Sequence, residues 1–234
     1  MKPRSAILLA AGIYVCIVAF VPFGDKVLYP LTLFTTWVHE MGHGLTALVV
    51  GGEFDSLEIS WNTGGLAHAY ATAGWREALV AAGGLLAPPL LGGFILAIVH
   101  GPRRARIVLA VLAGAIVLSL LIYVRSAAGL ITMPLVAALL GWAAWRGFGE
   151  KPQRRVLLAQ LLAVILALDT LTRMVGYAFM SKLDDGKQSD VQLIENNLGG
   201  HYLLWGLVIV VLALAMLGGG LWWAWRRPAT PAAA

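Results

Sequence analysis

Seven apolar runs, each near the ~20 residues that a helix needs to cross a bilayer, divide this chain. They are Ser5–Val21, Tyr29–Val50, Glu77–Val99, Ile107–Val124, Ala127–Trp145, Val156–Phe179 and Tyr202–Trp225. Hydrocarbon offers a backbone amide no water, so each run must satisfy its own polar groups and becomes a helix. Composition agrees with this reading. Of the 234 residues 59% are hydrophobic and 12% charged, and the mean hydropathy is +0.80, outside the range of soluble domains. The expected fold is a single all-α polytopic membrane domain over residues 1–234, with six or seven transmembrane helices and a small β-hairpin after the second.

Lys2 and Arg4 ahead of Ser5–Val21 give that run the look of a signal peptide. No small-x-small cleavage site follows, and Pro22-Phe23-Gly24-Asp25 reads as a turn, so the run counts as a first span. The net charge of +5 comes mostly from Lys and Arg beside the spans, where they meet anionic lipid and set topology. No basic stripe interleaved with aromatics is present, which argues against nucleic acid as a partner. Cys16, the single cysteine, excludes disulfides and a cysteine-based metal site.

Orientation stays open at the level of sequence. Seven spans with the N-terminus outside gather Arg103, Arg104, Arg106, Arg146, Lys151, Arg154, Arg155, Arg226 and Arg227 on the cytoplasmic side, while Lys2 and Arg4 favour the reverse. Gly83-Gly84 and Pro88-Pro89 interrupt Glu77–Val99, and a partly re-entrant segment there changes the count.

Two polar intervals stand out. In Gly51–Trp75, Leu57, Ile59 and Trp61 alternate with Glu58 and Ser60; Asn62-Thr63-Gly64-Gly65 supplies turn residues, and Leu66–Tyr70 resumes the alternation. This is a hairpin, either a surface loop or a sheet edge that captures an extended chain by backbone hydrogen bonds, with Leu57, Ile59, Gly64 and Gly65 as candidate substrate contacts. In Ser181–His201, Ser189-Asp190 ahead of Val191-Gln192-Leu193-Ile194 looks like a capped helix start, with Asp190 as a first-turn acid.

Inside the second run lies His39-Glu40-Met41-Gly42-His43. Residues i and i+4 share a helix face, so two imidazoles can meet one metal ion. Glu40 projects about 100° round from His39, within reach of a metal-bound water. This H-E-x-x-H pattern belongs to zinc-assisted hydrolysis with Glu40 as general base. An ionisable side chain at membrane depth costs at least ~2.5 kcal/mol, so three within five positions mark a functional site.

Two histidines leave a tetrahedral zinc one protein ligand short. The candidates are Asp169, Asp184, Asp185, Asp190, Glu195, His68 and His201. Asp169 lies deep in a predicted span, where membrane cost again argues for function, but Arg173 stands four residues on as an ion-pair partner. His68 and His201 read better as hydrogen-bonded or interfacial histidines.

At these residues the chain resembles the site-2 protease family of intramembrane zinc metallopeptidases, and its compact branch without a PDZ domain. The resemblance rests on His39–Gly44, Gly51-Gly52, Gly64-Gly65, Ala82-Gly83-Gly84-Leu85 with Gly92, and Ser189-Asp190-Val191 followed by Trp205-Gly206. It implies zinc held by His39, His43 and a distant Asp, with Glu40 as base and a hairpin presenting substrate. The family's usual L-D-G context is missing from Leu168-Asp169-Thr170, whereas Leu183-Asp184-Asp185-Gly186 has it outside a clear span. The compact branch's S-D acid falls on Asp190, which the resemblance favours as third ligand, with Asp169 as rival. The resemblance also implies a cytoplasmic segment after the metal helix, which would leave Arg103, Arg104 and Arg106 outside.

The expected function is that of an intramembrane zinc metalloendopeptidase acting on membrane-anchored proteins, in the lipid bilayer of a bacterial inner membrane as a multi-pass protein. One alternative is a non-enzymatic membrane protein that keeps the motif to bind metal or a partner. A transporter built on Glu40, Asp169, Arg173 and Pro88-Pro89 ranks last, for want of an inverted repeat.

Overall fold

The computed structural model describes residues 24–146, 148–149, 151–179 and 188–226, and the side chains of 28–171 (147 and 150 excepted) and 188–226. Helix α1 (Gly24–Val49) leads into a hairpin of β1 (Glu53–Ile59) and β2 (Gly65–Tyr70). Then follow α2 (Trp75–Ile98), α3 (Pro102–Ile122), α4 (Ala127–Trp145), α5 (Gln153–Phe179), the short α6 (Asp190–Leu198) and α7 (Tyr202–Arg226). The mostly helical fold with one small antiparallel sheet is the expected one.

The number of spans is lower than expected. Among the described residues four helices, α2, α3, α4 and α7, are long and apolar enough to cross a membrane. The predicted spans Tyr29–Val50 and Val156–Phe179 do form helices, of 26 and 27 residues. Polar content sets α1 apart, with His39, Glu40 and His43; α5 carries Arg154, Arg155, Gln160 and Asp169, and its side chains after 171 lie outside the described residues. Ser5–Val21 and Cys16 lie outside the described residues. On α7, Leu203, Leu207, Val211 and Leu214 recur at helical spacing and are all exposed, the face of a helix that meets lipid.

Helix α2 sits at the centre of the bundle, and its small residues let other backbones approach. A Cβ on Gly42 of α1 would meet the Gly83 carbonyl oxygen at 2.5 Å. Gly92 stands as close to the Ala163 oxygen of α5, and Gly93 to the Met216 oxygen of α7, each 2.5 Å from the position of a Cβ.

The interruption expected at Pro88-Pro89 does not occur, and α2 runs unbroken through both prolines. Proline 89 has no N–H for the carbonyl of Leu85, four residues back. Thr170 Oγ1 of α5 donates to that oxygen at 2.7 Å, so a neighbouring helix supplies the bond the proline removed.

The hairpin register pairs Glu53 with Tyr70 and Ile59 with Gly65, with a bulge between Phe54 and Ser56. Trp61 therefore lies beyond the strand. Leu57 and Ile59 point inward and are almost completely buried, 0% and 1% exposed. The outer edge of β1 is also occupied: Leu57 N donates to Tyr123 O at 2.9 Å, and Arg125 N donates to Leu57 O at 3.0 Å. Ile59 N donates to Ser126 Oγ at 2.8 Å. Phe54 stacks on Tyr123 with ring centroids 3.9 Å apart. The turn between α3 and α4 thus covers β1, and among the described residues no strand pairs with the outer edge of β2.

Candidate metal centre

The centre is assembled from α1, α2, the hairpin and α6. His39 and His43 sit one turn apart on α1, their Nε2 atoms 3.1 Å from each other. Asp190 opens α6 and reaches both rings, Oδ2 to His39 Nε2 at 3.2 Å and Oδ1 to His43 Nε2 at 3.5 Å. His39 is buried, and Glu40 beside it is only 6% exposed.

Local sequence explains how each group is held. His43 Nδ1 lies 2.8 Å from the Val80 carbonyl of α2. A carbonyl only accepts, so Nδ1 carries a proton and Nε2 is the nitrogen turned toward His39 and Asp190. The ring fits there because residue 84 is glycine: an added Cβ would fall on His43 Nε2 and Cε1. Asp190 is aimed by a capping box, in which Ser189 Oγ accepts from Gln192 N at 3.4 Å and Gln192 Oε1 accepts from Ser189 N at 3.3 Å. Val191 and Ile194 anchor α6 against Ala78, Ala81 and Leu85 of α2 and Ile209 of α7. Asn197 Oδ1 accepts from Gly74 N at 2.7 Å, which ties the far end of α6 to the start of α2.

Burial alone would raise the Asp190 carboxyl. The charge and hydrogen bonds of His43 and His39 outweigh it and hold the group well below the usual carboxylate range, so Asp190 is an anion facing two nitrogen donors.

The hairpin closes the site from the side. Thr36 Oγ1 donates to Thr63 O at 2.8 Å and Tyr29 OH donates to Trp61 O at 2.9 Å, so the turn is pinned along α1. Thr63 takes φ 70° there, and Asn62 Oδ1 accepts from Gly64 N at 3.1 Å. Gly65 then passes directly over Glu40: a Cβ on it would lie 2.5 Å from Oε1.

The donor set fits zinc. Four-coordinate zinc with bonds of about 2.0–2.1 Å has donors roughly 3.3 Å apart, and the three separations here bracket that figure. His39, His43 and Asp190 are the one group of three or more metal-binding side chains among the described residues whose donor atoms converge, all within 4.8 Å of one another.

Other candidates fall elsewhere. Asp169 does not join the cluster; its Oδ1 accepts from Thr35 Oγ1 at 3.1 Å, one turn before His39. The Arg173 side chain, and Asp184 and Asp185, lie outside what is described. His68 Nε2 meets Glu58 Oε1 across the hairpin at 3.4 Å, and His201 Nδ1 accepts from Leu203 N at 3.3 Å. Glu195 accepts the α6 C-cap N–H of Gly199 through its backbone oxygen, at 2.7 Å, and is not part of the cluster. Leu57 and Ile59 are not brought to the site as substrate contacts, since their side chains are core and their N–H groups are already bonded. Gly65 does lie beside it, against Glu40, and Gly64 precedes it in the turn. The sequence reading missed Val80, Thr35 and Thr36. The threonines carried a signal, because they precede His39 and Glu40 by one turn on the same faces.

A polytopic membrane bundle with a buried His–His–carboxylate cluster and an adjacent glutamate defines an integral membrane protein with a candidate metal centre. A family model described as Peptidase M50B-like matches residues 8–220, and the chain belongs to that family, a site-2 protease family. No curated protein and no solved structure matches the chain.

Proposed function

We propose that the protein is an intramembrane zinc metalloendopeptidase whose substrates are membrane-anchored proteins, in the inner membrane of a bacterium. The supporting observation is the convergence of His39, His43 and Asp190 at zinc-like spacing, with buried Glu40 next in the chain. His39, His43 and Asp190 would hold zinc, and Asp169 would support α1 through Thr35. Zinc, when bound, supplies a Lewis acid that polarises a carbonyl and makes water more acidic.

The chain's own residues do the rest. Glu40 accepts a proton from the attacking water as the C–O bond forms, then returns it to the amide nitrogen as the C–N bond breaks. Burial beneath Gly65 keeps bulk water from its carboxylate and fixes its position. The outer edge of β2, with which no strand among the described residues pairs, starts at Gly65 directly above Glu40 and is suited to pairing with an extended substrate segment. Backbone pairing there needs an unwound peptide, which favours substrates with a helix-breaking stretch near the membrane.

Membrane-anchored reporter substrates reconstituted with the purified protein test this reading. Wild type should cleave, and Glu40→Gln should lose about 10²–10⁴-fold of that rate while keeping its zinc. Equal turnover by the two would sink the assignment.

A further inference from the structure

The two ends of the helix bundle differ sharply in charge. Contacts along α2 fix the direction of its neighbours. His43 of α1 meets Val80, and Gly42 meets Gly83 and Ala87, so α1 runs antiparallel to α2. Thr170 of α5 meets Leu85 and Ala163 meets Gly92, so α5 is antiparallel as well. On α7, Ile209 clusters with Ala81 and Leu85, and Met216 lies at Gly93, so α7 runs parallel. The ends of α2, α4 and α7 and the starts of α3 and α5 therefore share one end of the molecule.

That end is basic. The first turn of α3 brings Arg103, Arg104 and Arg106, all exposed. Arg146 closes α4, Lys151 and Arg154 precede and open α5, and all three are exposed. Arg155 donates to the Ala143 and Trp145 carbonyls at 3.0 and 3.4 Å, which joins the α5 start to the α4 end. Arg226 ends α7. Among the described residues the one acid at this end is Asp25, and Lys26 follows it. Tryptophans ring the same end: the Arg106 guanidinium lies 5.1 Å from the Trp145 ring centroid and that of Arg226 lies 4.0 Å from Trp222. Exposed Trp142 and Trp225 complete an interfacial belt.

Among the described residues the opposite end carries Glu53, Asp55, Glu58, Glu77 and Glu195 against Arg76 and Arg125. The candidate metal centre belongs to this half. Val80 and Gly84, which hold His43, lie five and nine residues after Trp75, roughly 8 and 14 Å along α2. Asp190 enters from the same side on α6.

We infer that the basic, tryptophan-ringed end faces the cytoplasmic leaflet and its anionic headgroups, and that the His39–His43–Asp190 centre opens toward the extracytoplasmic half of the membrane. Connections rich in Lys and Arg are retained on the cytoplasmic side, and anionic lipid there attracts them. This orientation reverses the one the family resemblance implies, and it holds whether or not the centre is hydrolytic. Where it is, substrates would present their cleavable stretch near the outer leaflet.

Single cysteines test the orientation in a Cys16→Ala background. Thr72→Cys or Ala73→Cys places a thiol on the exposed link between hairpin and α2; Gly101→Cys places one at the basic end, where an added Cβ meets nothing within 4 Å. Bacterial spheroplasts expressing each variant are treated with a membrane-impermeant maleimide, before and after permeabilisation. The expected result is labelling of the 72 or 73 thiol on intact spheroplasts, with the 101 thiol labelled only after permeabilisation. Labelling of the 101 thiol on intact spheroplasts, alone or together with the others, overturns the inference. Labelling of every variant after permeabilisation confirms that each thiol is reactive.

Discussion

Substituting Gly84 by alanine places one methyl group where the His43 imidazole now lies. The new Cβ would fall on Nε2 and Cε1 and 2.6 Å from Cδ2, far inside contact distance. Helix α2 cannot retreat to make room. Gly92 is already in backbone contact with α5, and Gly93 with α7. The imidazole must therefore swing out. For the fold as a whole the effects partly cancel: alanine is better than glycine in a helix by about 1 kcal/mol, while overpacking costs about 1–3 kcal/mol. The net loss of stability should lie between zero and about 2 kcal/mol. The metal centre has no compensating gain. Moving the ring breaks the 2.8 Å bond to Val80 and withdraws Nε2 from His39 and Asp190. Loss of such supporting geometry costs about 10–100-fold in metal affinity, or about 1.4–2.8 kcal/mol. The assay is competition for zinc between the nanodisc-embedded protein and a chromophoric chelator. Gly114→Ala on α3 is the control, because its Cβ meets nothing within 4 Å and its affinity should match wild type. Folded Gly84→Ala protein that binds zinc as tightly as wild type would refute the reasoning.

Asp190→Asn should empty the centre of zinc and Asp169→Asn should leave it filled, as measured by metal analysis of the purified proteins; retention by the first and loss by the second would exchange their roles. Gly65→Ala forces a methyl against Glu40 Oε1 and should cut peptide hydrolysis by about 10²-fold with zinc content unchanged. Loss of zinc in that variant would show that the hairpin supports the metal rather than the base. Ser189→Ala removes the capping box of α6 and should cost about 0.5–2 kcal/mol, with faster amide exchange over Asp190–Leu198. Unchanged exchange there would mean that Val191 and Ile194 alone hold the helix.

Parts of this architecture could be read from local sequence because local physics decides them. Ala127–Trp145 is helical over the very residues of its apolar run, with Ser126 as the cap. Helix α3 begins five residues before its apolar run, since Pro102 is a favourable first helical residue and the arginines after it tolerate a helix at the interface. The His39–His43 pair follows from helical spacing. What local pattern could not supply is whatever a distant segment provides. The double proline reads as a break until Thr170, on another helix, satisfies Leu85. Leu57 and Ile59 read as a free edge until the α3–α4 turn occupies it. Asp169 and Asp190 each look like a ligand until packing of α6 on α2 and α7 brings one to the histidines and leaves the other beside Thr35. These three features share a cause, namely contacts between residues far apart in the chain.

Helix α2 is keyed into its surroundings much as a splined shaft is keyed into a hub. It meets α1 through Gly83 and Gly84, α5 through Gly92 and α7 through Gly93, three directions around one cylinder. Turning it by a single residue, about 100°, would drive a side chain into a gap only a backbone can occupy. Twist about its own axis is thereby forbidden, and sliding is resisted by Thr170 gripping Leu85. Any opening that admits a second polypeptide must therefore leave α2 as the fixed post and displace its neighbours, such as the hairpin turn that Thr36 and Tyr29 latch to α1.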